Sequence, residues 1–553
     1  MTPRELKQSA PQEWETREQE GWAQCREQVS RAFQGRKDKV TLQELTDQPC
    51  VRAKLDALQR ACANKAFSDI INDPKKYPGS LRHQYVDLVM EGGGTLGIAL
   101  VGYIYALESV GLRILNIGGT SAGSIAALLL AAVNKDKSEP KSERLWELLS
   151  QLKLETLEDG GPLAQRFVEA LRQKQTPSTS SSLGSRFKER LRGVRLGFKR
   201  SWRGLRVLPV LSKTLGLNEG EEFKKWIHAI LEQEGVDSTK KLIDRVEQPP
   251  KEELVLRERE KRPQQPFTPE QGENAPEHKK VRLKLIAAEV STGVKVDFPL
   301  MAKFFFPNWQ NESPAQFVRA SMSVPFFFYP MHLTGLENVP QAVKEEWKEK
   351  VSDSELGESC TLVDGGIMSN FPISEFHRAG VPNSPTFGVK LGLEKRRMRA
   401  LTGELETPAG CERPGLRRFL KHLINKYRLR PLGQFGLALF NSARQTLDND
   451  FIYDNPDYRF LVKEIDTGKH HWLDFDLSPA DQVDLFLRGL EAGAQFLQSF
   501  NWEDYRKVRE HLEGVEKQVQ RMESNASGDG VPVEQPPPVM AKDPTTEPIQ
   551  PSA

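Results

Sequence analysis

Cysteine is scarce in this chain and forms no pattern. Five residues in 553 (Cys25, Cys50, Cys62, Cys360 and Cys411) are scattered, odd in number and contain no C-x-x-C pair. A zinc or disulfide framework is not expected from such spacing, and the cysteines read as reduced thiols of a cytoplasmic protein. Charge of one sign is missing too: the net charge is +2, so no bulk attraction to nucleic acid follows. Long apolar runs are absent, and the longest, Ile125 to Val133, falls far short of a membrane span. The first twenty residues lack the apolar centre of a signal peptide. Export by a specialised secretion machine would leave no such signal to read. No cluster of ligating side chains has metal spacing, so neither a metal nor a cofactor is expected.

What the chain has is a dense stretch from residue 86 to 133. Val86 to Met90 is an apolar run of strand length, followed by glycines at 92, 93, 94 and 97. Ile98, Val101, Ile104, Tyr105 and Leu107 then repeat with helical spacing, and Gly111 closes the helix. Leu112 to Ile117 is a second apolar strand. It runs into Gly119-Thr120-Ser121-Ala122-Gly123 and a wholly apolar helix. Strand, helix, strand and helix in this order predict a parallel βαβα unit.

Two chemistries compete for the unit. Gly92-x-Gly94-x-x-Gly97 after a strand fits a dinucleotide fingerprint, which asks for an acid at the end of the second strand. That strand ends Ile117-Gly118-Gly119, so the match fails where the ribose would bind. Gly119-x-Ser121-x-Gly123 fits a nucleophile elbow, in which glycines let a strand turn sharply into a helix and expose the serine hydroxyl. The upstream glycines then gain a role, because backbone N–H groups uncrowded by side chains can face a developing oxyanion.

The remaining chain reads as accessory or supporting structure. Residues 1–79 form a helical extension, with Trp14, Trp22, Cys25, Val29 and Phe33 near one face and a capping box at Thr41-x-x-Glu44. An insertion spans about 134–280. Within it, 186–206 is basic and amphipathic, while 247–280 is rich in Pro, Glu, Lys and Gln and reads as exposed and flexible. Residues 394–430 repeat the basic amphipathic character, and both segments suggest peripheral contact with an anionic membrane, against the plainer reading of solvated helices. Leu283 to Val290 is a buried strand, and Phe317 to Phe328 is either core or the wall of an acyl pocket. A late strand is expected at Tyr458 to Lys463 and a helix from Ser478-Pro479 to Phe500. The expected domains are 1–79, a catalytic domain at 80–505, a C-terminal helix at 506–523 and a disordered tail at 524–553.

Thr361-Leu362-Val363-Asp364-Gly365-Gly366 places an acid between a strand and two glycines. An elbow serine needs a base, and His377, His470 and His471 lie in no comparable turn. Here the sequence resembles the patatin-like phospholipase family, which carries three motifs in this order: Gly92-x-Gly94-x-x-Gly97, Gly119-x-Ser121-x-Gly123 and Asp364-Gly365-Gly366, the last continuing into Asn370-Phe371-Pro372. Ala320-Ser321 with Pro325 and Phe328 is similar to the family's segment before the aspartate. The resemblance implies a Ser-Asp dyad, with Ser121 as nucleophile, Asp364 as base, and Gly92, Gly93, Gly94, Thr95 and Gly97 as the oxyanion loop. It implies hydrolysis of phospholipid or other acyl-lipid esters through an acyl-enzyme. The fold expected is a three-layer α/β/α sandwich with a mainly parallel sheet. An ordinary aspartate, with a pKa near 3.9, is a weak base for a serine hydroxyl, so the reading asks for a buried site. The chain departs from the family at Leu96, where the resemblance calls for Lys or Arg, and a positive charge near a substrate phosphate is thereby lost. The alternatives are a lipid-binding regulatory scaffold, which the intact Ser121 and Asp364 argue against, and a Ser-His-Asp hydrolase of soluble esters, which needs one of the histidines.

Overall fold

The computed structural model describes residues 12–78, 82–151, 215–259, 262–269, 282–378, 380–392, 448, 451–470 and 477–528. The basic segments 186–206 and 394–430 lie outside the described residues, as do Cys411, His471 and the tail beyond 528.

Among the described residues eleven strands make one sheet: β1 (Ile70–Asn72), β2 (Gln84–Met90), β3 (Leu112–Thr120), β4 (Leu254–Leu256), β5 (Gln265–Phe267), β6 (Leu283–Glu289), β7 (Val294–Phe298), β8 (Met331–Thr334), β9 (Ser359–Asp364), β10 (Thr386–Gly392) and β11 (Val462–Asp466). The centre is parallel, in the order β11-β10-β2-β3-β6. Every residue of β2 and of β6 is buried, as strands covered on both faces require. The sheet is mixed, because β1, β4 and β5 on one flank and β7, β8 and β9 on the other pair antiparallel. Local sequence carries no mark of that change of direction.

The helices in chain order are α1 (Gln12–Ala32), α2 (Leu42–Thr46), α3 (Pro49–Cys62), α4 (Ile98–Ser109), α5 (Ala122–Ala132), α6 (Ser142–Gln151), α7 (Glu221–Gln233), α8 (Thr239–Glu247), α9 (Ala302–Phe305), α10 (Ala315–Ser321), α11 (Gln341–Lys350), α12 (Pro479–Ser499) and α13 (Trp502–Gly528). The Thr41–Glu44 capping box is present at the start of α2. The hydroxyl of Ser478 caps α12 by accepting from Asp481 N–H at 3.2 Å. α4 and α12 pack backbone to backbone: a Cβ on Gly489 would overlap the Ala99 carbonyl, and one on Gly102 would overlap the Phe486 carbonyl. α1 packs on α12, with Arg26 paired to Glu491, and Trp22, Val29 and Phe33 join the same apolar core as the sheet.

Four expectations are corrected. Cys25 and Cys50 are joined in a disulfide. The packing of α3 on α1 brings their Cα atoms to 5.7 Å, within bridging range, and spacing along the chain cannot reveal that. The stretch 247–280 is not wholly an exposed insertion, because Leu254, Val255 and Leu256 are buried in β4, which pairs with β1. The late strand is β11 at Val462–Asp466, since Pro456 opens a 3-10 turn across Pro456–Phe460, a position that suits proline. The last helix runs Trp502–Gly528, so residues 524–528 belong to it and not to the tail.

Candidate active site

β6 has one edge taken by β7, and the other is shared by two strands. Ile286 pairs with Asp297 of β7 and with Thr120 of β3; Ala287 pairs with Val296 of β7 and with Asp364 of β9. β3 and β9 therefore meet head to head along one edge of β6, their last residues opposite neighbouring positions about 3.8 Å apart. Both chains must leave the sheet there, and the two glycine turns are how they do it.

On the β3 side, Ser121 has φ 51° and ψ −119°, a backbone that non-glycine residues rarely adopt. A Cβ on Gly119 would overlap the Gly123 carbonyl, and one on Gly123 would overlap the Met90 carbonyl. These two glycines are needed for close approach, and α5 starts immediately after the turn. The Ser121 N–H donates to Ser321 Oγ at 2.9 Å, and that hydroxyl donates to the Ile286 carbonyl at 2.5 Å. The Ser121 carbonyl accepts from Ser124 Oγ at 2.6 Å. Thr120 Oγ1 donates to the Ser369 carbonyl at 2.8 Å. The turn is held from three directions, and Ser121 is 5% exposed.

On the β9 side, Gly365 crosses β6 so closely that a Cβ would overlap the Ile286 carbonyl. Asp364 is 1% exposed, and its Oδ1 accepts from the Gly366 N–H at 2.6 Å. Its own N–H donates to the Ser323 carbonyl at 2.9 Å. α10 and the loop after it thus grip both turns, through Ser321 on one side and Ser323 on the other. Arg319 braces the loop by hydrogen bonds to Ser323 Oγ, the Glu219 carbonyl and, at 3.0 Å, the Tyr329 carbonyl.

The glycine loop follows β2. Gly92 lies against the elbow, since a Cβ there would be 3.0 Å from Ser121 Cβ. Its N–H donates to the Asn370 carbonyl at 3.0 Å, so that donor is committed to the Asn370 turn. Gly94, Thr95, Leu96 and Gly97 form a 3-10 turn that runs into α4. The amides of Gly93 and Gly94 open it, where a helix has no acceptors of its own. Asn370 donates through Nδ2 to Glu91 Oε1 at 3.1 Å, and Glu91 Oε2 accepts from the Leu391 N–H at 2.7 Å.

This geometry sits with a match along the chain: the model of the patatin-like phospholipases covers residues 88–377, 290 of 553. The chain belongs to the patatin-like phospholipase family. It is 24% identical over 418 residues to the uncharacterized protein YqhO of Bacillus subtilis (strain 168), spanning 76% of this chain and all of that one. It is also similar to the crystal structure of VipD from Legionella pneumophila, at 15% identity over 79% of this chain and 70% of that one. The TM-score of that pair is 0.32.

The patatin-like architecture places the motif residues as follows. Ser121, Asp364, Gly92 and Ser321 converge on the end of β3 and the middle of β6, while the missing Cβ of Gly93 faces Leu391 of β10. Gly97 lies against the residue that follows the elbow serine, with its missing Cβ 3.4 Å from Ala122 Cβ. Leu96, where the resemblance calls for Lys or Arg, is fully buried and joins the apolar core. The histidines have partners of their own. His377 Nδ1 lies 2.9 Å from the Tyr458 hydroxyl, and His470 Nε2 lies 2.7 Å from Asp484 Oδ2. Sequence reasoning missed Glu91 and Asn370 as clamps and read Ser321 only through the family resemblance. The signal for Glu91 was an acid at the buried end of an apolar strand. Among the described residues no cluster of His, Cys, Asp and Glu could hold a metal, and no helix is long and apolar enough to cross a membrane.

Proposed function

We propose that this protein is a serine acyl hydrolase that cleaves carboxylic esters of lipids, phospholipids among them, with Ser121 as nucleophile and Asp364 as its base. The observation that carries this is the head-on meeting of β3 and β9, which sets Thr120, the residue before the elbow serine, and the buried Asp364 at adjoining positions on one strand edge. Ser121 Oγ attacks the ester carbonyl and passes its proton to Asp364. The amides of Gly93 and Gly94 stabilise the oxyanion, a contribution of about 3 kcal/mol for each good donor. Collapse of the tetrahedral species breaks the ester bond, and Asp364 returns the proton to the departing alcohol. Water, deprotonated by Asp364, then attacks acyl-Ser121, and Asp364 returns that proton to Ser121 Oγ as the acyl–oxygen bond breaks and the fatty acid leaves. The separate partners of His377 and His470 favour the dyad over a triad.

Hydrolysis of a short p-nitrophenyl ester and of phosphatidylcholine tests the reading. Ser121→Ala and Asp364→Asn should each lower both rates by about a thousandfold or more, with far-UV circular dichroism unchanged. Normal turnover by either variant removes that residue from its role.

A further inference from the structure

Four non-glycine residues among those described have a left-handed backbone, and two of them, Leu215 (φ 56°) and Phe326 (φ 68°), touch each other. The Phe326 N–H donates to the Leu215 carbonyl at 3.3 Å. Both side chains face solvent, at 50% and 62% exposure, while the next two residues, Phe327 and Phe328, are buried. Bulky side chains are rare at positive φ because the Cβ crowds the backbone, and a bulky apolar side chain exposed to water gains nothing from its position. Two such residues side by side are twice disfavoured, which points to a use outside the isolated chain.

Their place in the fold suggests that use. Phe326 lies three residues after Ser323, whose carbonyl holds the Asp364 N–H, and so within about 11 Å of it. The Leu215 loop is pinned to the same segment: Leu217 N–H donates to the Phe327 carbonyl at 3.1 Å, and Tyr329 N–H donates to the Asn218 carbonyl at 2.8 Å. The pair therefore stands beside the Ser121–Asp364 site and rides on the loop that braces it.

We propose that Leu215 and Phe326 form an apolar contact that seats the mouth of the site on the surface of a lipid aggregate. This rests on the lipid-ester reading of the site. The contact is apolar, so it operates on zwitterionic lipid, where basic segments have no net charge to follow.

The experiment uses the full chain and vesicles of pure phosphatidylcholine, with vesicle binding measured by co-sedimentation in a Ser121→Ala background so that lipid is not consumed. Asparagine tolerates the left-handed backbone, so Leu215→Asn with Phe326→Asn should bind at least tenfold more weakly, while the melting midpoint is not lowered. With Ser121 restored, hydrolysis of a short soluble ester should stay within twofold of wild type. Phe326→Trp, which keeps an interfacial side chain, should bind at least as tightly as the parent. Equal binding by the asparagine pair, or weakened binding by the tryptophan variant, would overturn the proposal. A dimer that dissociates in the asparagine pair while vesicle binding is unchanged would overturn it in favour of a second copy of the chain. Vesicle binding requires no hydrolysis. A wild type that binds but cleaves no ester therefore fails the functional reading alone, and one that cleaves ester but binds lipid no better than the asparagine pair fails the contact alone.

Discussion

Ser321 shows what motif spacing conveys at the scale of single residues and what it does not. Ser121 was legible because glycine on either side of a serine at a strand end describes a shape, and the shape requires those residue types. Ser321 belongs to no such pattern, yet its hydroxyl joins the Ser121 N–H to the Ile286 carbonyl in a fully buried position. Ser321→Ala leaves two buried groups unsatisfied, each costing about 1–3 kcal/mol. The expected result is a fall in kcat of about ten- to a hundredfold with KM nearly constant, read from pre-steady-state bursts on a p-nitrophenyl ester. A change confined to KM would contradict the positioning role. Leu96 shows the converse: the sequence shows a missing charge but not that the residue filling the position is fully buried in the apolar core. Asp484 gives a pH test. Burial works against its charge, but hydrogen bonds from His470 and Arg488 outweigh this and hold its carboxyl down at about 2, below the ordinary 3.8. A depressed carboxylate stabilises the folded state fully above about pH 4, and that stabilisation is lost as pH falls through about 2. The gap in melting midpoint between wild type and Asp484→Asn should therefore be widest near pH 5 and shrink toward pH 2. A gap that is constant across this range would remove Asp484 from the acid response.

Among the elements, the long periodic ones were readable. α4, α5 and α12 have apolar patterns that fix their type, and the serine cap of α12 marks its start. The pairing of short strands was not readable, because it depends on distant partners. Leu254-Val255-Leu256 lies in a stretch whose composition is that of a solvated loop, and its pairing with β1 and β5 makes it a strand. The crossing of α4 and α12 was also hidden. Gly102, Gly489 and Gly493 look like weak points in their helices, but they let the two backbones touch. Gly489→Ala should therefore destabilise the protein, by about 1–3 kcal/mol for an overpacked contact, although alanine is the better helix former. Thermal melts decide the sign. A variant as stable as wild type would mean that the helices can part without cost.

Across the whole molecule, the parallel centre of the sheet follows from the βαβα unit at 86–133, and the antiparallel flanks do not. The flanks matter most for the proposed dyad, since β9 brings Asp364 to β6 from the opposite direction to β3 and stops where β3 stops. A sequence lists Ser121 and Asp364 some 240 positions apart, and nothing in either motif says that their strands share an edge. The N-terminal helices read as an extension, yet they contribute to the same core through Trp22, Val29 and Phe33. If this arrangement makes Ser121 a nucleophile, the hydroxyl should react with a fluorophosphonate, and peptide mass spectrometry of the treated full chain will locate the adduct. One adduct on Ser121 is expected, slowed strongly by Asp364→Asn and abolished by Ser121→Ala. An adduct on another residue, or undiminished labelling of the Ser121→Ala protein, would contradict the nucleophile role.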